Sequence, residues 1–219
     1  MNSRPHCSAR SRSDERPSGS TNIVESVFAQ GALHPIVSDH RVMADTSPIF
    51  FWRETHPRWG WLSQWYECEF EHDGIVYVTA EMWMMISKAK LFKDEDSVQK
   101  MLRTRSPKEH QALGRKVANY DAKIWNQYKE HIVEKGNYLK FTKSKDENMK
   151  RKLLETNDRE LVEASPVDRI WGVGYSEKDA ESNRRDWGQN LLGRAITRAR
   201  ITIKEDERDL DKSMSIWIG

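Results

Sequence analysis

The placement of tryptophan constrains this chain more than any other feature. All nine tryptophans lie between Trp52 and Trp217, and none precedes Trp52. Trp carries a large apolar ring that is costly to leave in water, so it marks where a core can form. Upstream, Ser, Arg, Pro, Gly and His dominate without apolar periodicity. Such a segment cannot bury enough surface to offset chain entropy. The expected organisation is a disordered tail over 1–46, one globular domain over 47–204 and a charged, frayed tail over 205–219. A weak helix over 23–33 is the one element expected in the first segment. A domain of this length buries a real core without disulfide staples.

Charge and cysteine usage narrow the function classes. The 36 basic and 34 acidic side chains give a net charge of only +2. This balance argues against a general nucleic-acid or membrane binder, although a local basic patch for phosphates stays allowed. Cys7 and Cys68 are too few for a disulfide framework and fit a reducing compartment. No apolar run approaches the roughly 18 residues of a membrane span. No secretory leader follows Met1, and Pro5, Asp14, Glu15 and Pro17 argue against a mitochondrial one. The expected location is cytoplasmic or nuclear.

Local signals then place the elements. Pro48 to Trp52 reads as a short buried strand, and the run from Tyr66 to Phe70 alternates like another. His72-Asp73-Gly74 predicts a tight hairpin turn, with a return strand from Ile75 to Val78. Thr79 caps a helix running to about Phe92, and a second helix spans 94–103. Ser106-Pro107 with Glu109 is a capping box opening a third. A long helix follows from Asp121 to about Thr142, with Ile124, Tyr128, Ile132 and Leu139 near helical spacing. A further helix spans 146–155, a short strand 161–164, a long loop 166–185 and a last helix 188–203. The fold class expected is mainly α with a small antiparallel β element.

Several familiar motifs fail on inspection. The stretch from Gly188 to Ala195 imitates a phosphate-binding P-loop, but Arg194 stands for its Lys and Ala195 for its hydroxyl. Gly172-Val173-Gly174 lacks the third Gly of a dinucleotide fingerprint. The histidines have no zinc spacing, and no serine elbow is present. No metal and no cofactor is expected.

Three constellations carry chemistry. Glu81 stands in the first turn of an unusually apolar helix, with Lys88 two turns on along nearly the same face. A carboxylate buried there would have a raised pKa suited to proton transfer, whereas an exposed one would merely complement the helix dipole. The loop 166–185 holds Trp171, Gly172 and Gly174, and the helix after it offers N–H groups, with Arg184, Arg185 and Arg194 nearby, for phosphate. The same loop also suits a structural role with Trp171 plugging the core. The stretch around Ser63, Gln64 and Trp65 combines flat aromatics with polar donors, as a heterocycle site or a packing loop does.

Taken in order, these segments resemble the NADAR family of YbiA-like N-glycosidases, from about Phe50 to Lys204. The matching pieces are Glu81-Met82-Trp83 with Lys88, the Trp61 to Trp65 loop, Leu113 to Val117, Trp125, the run from Glu163 to Gly174, and Trp187 to Ile196. The resemblance implies a YbiA-like helical domain that cleaves a C–N bond to ribose. It implies Glu81, Lys88 and Asp168 as catalytic residues. It implies Ser63, Gln64, Trp65, Trp83, Trp125, Trp171, Gly172, Asn190 and Arg194 as substrate-binding residues. The partners implied are a phosphoribosyl or ADP-ribosyl small molecule or ADP-ribosylated nucleic acid, with no membrane. The alternative is a non-catalytic ADP-ribose or nucleotide-binding module. Two departures stand out: Met82 where many relatives have His or Gln, and Val173 where bacterial relatives have Asp. Asp168 is the nearest substitute for that Asp.

Overall fold

The computed structural model describes residues 45–218, with side chains through residue 214. The tail over 1–46 and the weak helix over 23–33 therefore fall almost wholly outside the described residues, as does Cys7. Among the described residues, four short strands and seven α-helices follow one another in the order β1 (Ile49–Phe51), β2 (Phe70–His72), β3 (Ile75–Tyr77), α1 (Ala80–Leu91), α2 (Glu95–Leu102), α3 (Pro107–Gly114), α4 (Ala122–Lys143), α5 (Asn148–Leu154), β4 (Leu161–Glu163), α6 (Glu177–Ala180) and α7 (Leu191–Ile218). The architecture is mainly helical with two small sheets, an α+β arrangement.

Local chemistry sets most of these boundaries. The β2–β3 hairpin turns on Asp73 and Gly74, both at positive φ (50° and 73°), the pairing that a two-residue turn needs. Thr79 opens α1 by accepting the Met82 N–H at 3.1 Å. Asp94 and Asp121 cap α2 and α4 in the same manner. Ser106 accepts the Glu109 N–H at 3.3 Å to open α3, with Pro107 in the first turn. The Ser106 N–H goes to the Thr104 hydroxyl, so the Glu109 side chain does not close the expected box.

Burial explains the centre of the molecule. α1 is buried nearly all round, from Ala80 to Ile86 and at Ala89, as a helix enclosed on every side must be. It packs against α2, α3, α4 and the hairpin, while α7 packs on α4 and β4. The second sheet is a parallel pair, β1 beside β4, with Phe50 opposite Val162. Neither strand carries a local pairing signal, and the sequence indicated only an antiparallel element.

Three expectations are corrected. On α4, Ile124 and Tyr128 are exposed, and the core is filled by Trp125, Val133, Leu139 and Phe141. Of the four residues picked by spacing, Leu139 is buried and Ile132 half-buried, and the stripe is rotated toward Trp125, Val133 and Phe141. The stretch 166–185 is not all loop, since α6 and a 3₁₀ turn, Glu181–Asp186, occupy its second half. The last helix starts at Leu191 and runs to Ile218 instead of fraying after residue 203. Its continuation is supported by pairs such as Tyr138–Asp206 and Lys150–Glu207, which tie it to α4 and α5.

Candidate functional site

The first turn of α1, the 3₁₀ turn Gly60–Leu62 with the residues after it, and the end of β4 converge on one cavity of about 650 Å³. Its wall includes Ser63, Gln64, Trp65, Glu81, Lys88, Trp125, Asp168 and Trp171. The structure thus brings together eight of the residues singled out in the sequence. It also adds Trp52, Arg53, Gln111, Arg115 and Glu163, which the sequence reading passed over.

Glu81 is held through the main chain. Its backbone N–H donates to the Gln64 carbonyl at 3.0 Å, which fixes the helix start against the loop. Its carboxyl is buried, and Trp65 shares the cavity wall with it. Burial pushes its pKa up to about 7, and Trp65 and the Arg115 charge oppose that rise without cancelling it.

Glu163 is the second carboxyl of the cavity. Burial above all, then the nearby Asp168 and Glu81 charges, push its pKa up to about 8. Its Oε2 is sealed from solvent with no hydrogen-bond partner, which makes ionising it costly, although the residue as a whole is only half-buried at the end of β4. Its backbone, by contrast, is gripped tightly. The N–H goes to Asn190 Oδ1 at 3.0 Å and the carbonyl accepts the Val173 N–H at 2.9 Å. A lone carboxylate in an otherwise apolar strand was the sequence signal for it.

A raised carboxyl pKa has a definite sign for stability. The folded state holds the proton more tightly than the unfolded chain, so stability is lost as pH rises from the ordinary 4.5 through the folded value near 8. Glu163→Gln removes that titration. The variant is expected to melt several degrees above the wild type at pH 8, with the gap closing as pH falls toward 4.5; a gap independent of pH would contradict the burial of this charge.

The cations at the cavity are Lys88, Arg53 and Arg115. Lys88 Nζ donates to the Gly114 carbonyl at 2.8 Å and lies over the Tyr120 ring at 4.3 Å, and burial lowers its pKa. An ammonium has three donors, so hydrogen-bonding capacity remains. Asp168 Oδ1 accepts the Ile170 and Trp171 N–H groups at 2.7 and 2.8 Å, bracing the loop that carries Trp171.

Four residues named in the sequence stand elsewhere. Trp83 lies under the hairpin, 5.0 Å from Tyr77, with its indole N–H on the Ile132 carbonyl. Gly172 lets its loop approach β4, since a Cβ there would meet the Glu163 carbonyl at 2.7 Å. Asn190, at a φ of 49°, braces β4 through Leu161 and Glu163. Arg194 is exposed and not on the cavity wall. Arg184 pairs with Glu160 and Glu181. The first N–H groups of α7 are already used: Leu191 donates to the Ile170 carbonyl and Leu192 to the Trp171 carbonyl. That helix end is therefore no phosphate cradle. Val173 is fully buried in a small cluster with Val162 and Ala180, and Met82 is core with its sulfur on the Val78 N–H. Neither side chain lines the cavity.

Among the described residues no cluster of His, Cys, Asp and Glu has a metal-site arrangement, and no helix is long and apolar enough to cross a membrane.

Comparisons with known proteins bear on family and fold. The family model described as the NADAR domain matches residues 50–204. The chain is 37% identical over 145 residues to an N-glycosidase of Acanthamoeba polyphaga mimivirus, covering 63% of this chain and 84% of that protein. It is 26% identical over 162 residues to an N-glycosidase of Nostoc punctiforme, covering 74% of this chain and 94% of that one. Both relatives are thus hydrolases acting on N-glycosyl compounds. The solution structure of the Escherichia coli protein YbiA shares the fold, with a TM-score of 0.60 at 24% identity, covering 74% of this chain and 88% of that one. With the family model spanning nearly the whole described domain, this chain belongs to the NADAR domain family.

Proposed function

We propose that this chain hydrolyses the C–N bond between a ribose and a heterocyclic base in a phosphorylated substrate. The observation that carries this reading is the pair of carboxyls, buried Glu81 and half-buried Glu163, on the wall of one tryptophan-lined cavity, where burial raises their pKa values to about 7 and about 8. Two carboxyls that sense each other titrate as a pair, so near neutral pH the site holds a proton to give and a charge to use. An N-glycosyl bond breaks with positive charge developing at the anomeric carbon and electrons flowing to the base nitrogen. That is the demand this pair fits.

Glu163 donates its proton to the departing base nitrogen as the C–N bond breaks. The Glu81 carboxylate stabilises the oxocarbenium-like ribosyl cation. A water oxygen then bonds to the anomeric carbon and gives its proton to Glu81. Proton exchange with solvent resets the two groups. Trp52, Trp65, Trp125 and Trp171 supply flat faces for base and sugar, and Lys88, Arg53 and Arg115 are the cations for phosphate oxygens. The candidate substrates are an aminouracil ribosyl phosphate and an ADP-ribosylated guanine.

The pH dependence follows from these roles. Activity rises as Glu81 ionises near 7 and falls as Glu163 loses its proton near 8. The expected kcat/KM profile is a narrow bell between the two, and Glu163→Gln abolishes its alkaline limb. A flat profile from pH 6 to 9 would sink the two-carboxyl scheme.

A further inference from the structure

We propose that Lys140 is a positioning residue for this site, holding the turn over 63–66 against the first turn of α1, where Glu81 stands; this rests on the role given to Glu81 above. Lys140 lies on α4 with 0% exposure. Its Nζ donates to the Ser63 carbonyl at 2.8 Å, and the rings of Phe141 and Tyr66 lie 5.3 and 5.9 Å away. A fully buried ammonium costs several kcal/mol unless its partners repay it. A methionine would fill similar space without that cost, so a lysine here needs a reason specific to its donor.

The reason lies one turn above it. The Ser63 carbonyl also accepts the Tyr66 N–H at 3.3 Å. Ser63 Oγ accepts the Trp65 N–H at 3.2 Å, and the Gln64 carbonyl accepts the Glu81 N–H at 3.0 Å. The turn is therefore pinned from below by Lys140 and sideways to α1. Trp65, carried by that turn, lines the same cavity as Glu81 and holds its pKa down. Lys140 touches no cavity surface, since it is absent from the wall. It acts through Trp65.

The charged groups facing Glu81 are Arg115 and Glu163, and the titratable group sensed by Lys140 is Cys68, itself buried. Burial lowers the Lys140 pKa to about 8. A neutral amine still carries N–H donors, so the grip on Ser63 does not depend on that titration.

The test measures the Glu81 titration midpoint by carboxyl ¹³C NMR, assigned by its loss in Glu81→Gln. This readout needs no substrate and stands even if the glycosidase reading fails. Lys140→Met, Trp65→Phe and the double variant are compared with the wild type. Lys140→Met is expected to raise the Glu81 midpoint, as Trp65→Phe does, because Trp65 holds it down. The double variant is expected to match Trp65→Phe alone. kcat is expected to fall roughly tenfold with KM within about twofold. An unmoved midpoint in Lys140→Met, or a further rise of the midpoint in the double variant, overturns the proposal. Should Lys140→Met fail to fold, Ser63→Ala removes the hydroxyl that holds the Trp65 N–H. A raised midpoint in that variant supports the relay through the turn, and an unmoved one overturns it.

Discussion

Glu81→Gln is expected to lower kcat by about 10³-fold while leaving the fold intact. Gln occupies the space of Glu, so packing around the first turn of α1 is preserved. What is lost is the negative charge that stabilises the ribosyl cation and takes the proton from water. Because Glu81 is buried with its pKa raised to about 7, the wild type loses stability as pH rises through that value. The variant should therefore melt at or above the wild-type temperature at pH 8. Single-turnover base release and thermal melting check both halves. Wild-type turnover in the variant would remove Glu81 from the chemistry.

Gly193→Ala should produce the largest loss of stability from a single methyl group. A Cβ at this position would stand 2.0 Å from the Leu161 carbonyl oxygen, a backbone atom of β4. The Asn190 side-chain amide, 2.6–2.7 Å away, closes the other side. Neither can rotate aside as a flexible chain end would. α7 must then shift off β4, at a cost of about 3 kcal/mol, the upper range for overpacking. For a domain of this size that corresponds to a melting temperature roughly 6–12 °C lower. β4 carries Glu163, so activity should fall as well. A melting temperature within about 2 °C of wild type would show that α7 and β4 are not in the close register described.

What the sequence reveals is what short-range chemistry determines. Thr79, Asp94, Ser106 and Asp121 each satisfy N–H groups within three residues, and each cap stands where its side chain indicates. Asp73-Gly74 fixes a turn in the same local way. Pairings across the chain are different. Phe51 and Glu163 become strand neighbours through contacts that no window around either residue contains. The parallel sheet was therefore not legible, and with it went the significance of Glu163. Spacing also misplaced part of the buried face of α4, because which side of that helix meets α1 and α7 is set by tertiary packing.

The site shows the same division. Glu81 and Lys88 share a helix, so their common face follows from the helical period, and both reach the cavity. The cations proposed for phosphate, Arg184, Arg185 and Arg194, are all off the cavity wall; Arg184 is engaged by Glu160, and the first α7 N–H groups are consumed by loop carbonyls. Arg53 and Arg115 replace them, one just after β1 and the other at the end of α3. Their convergence depends on how β1 and α3 pack around α1, which is a tertiary fact.

The most direct measurement of the central claim is product analysis in H₂¹⁸O, with an aminouracil ribosyl phosphate and guanine-ADP-ribosylated DNA tested in parallel. Hydrolysis with Glu81 activating water requires free base from at least one substrate, ¹⁸O on the anomeric carbon of the released sugar, and loss of both signals in Glu81→Gln. Binding of both compounds without release of any base would contradict the account and leave the cavity a nucleotide-binding site without chemistry.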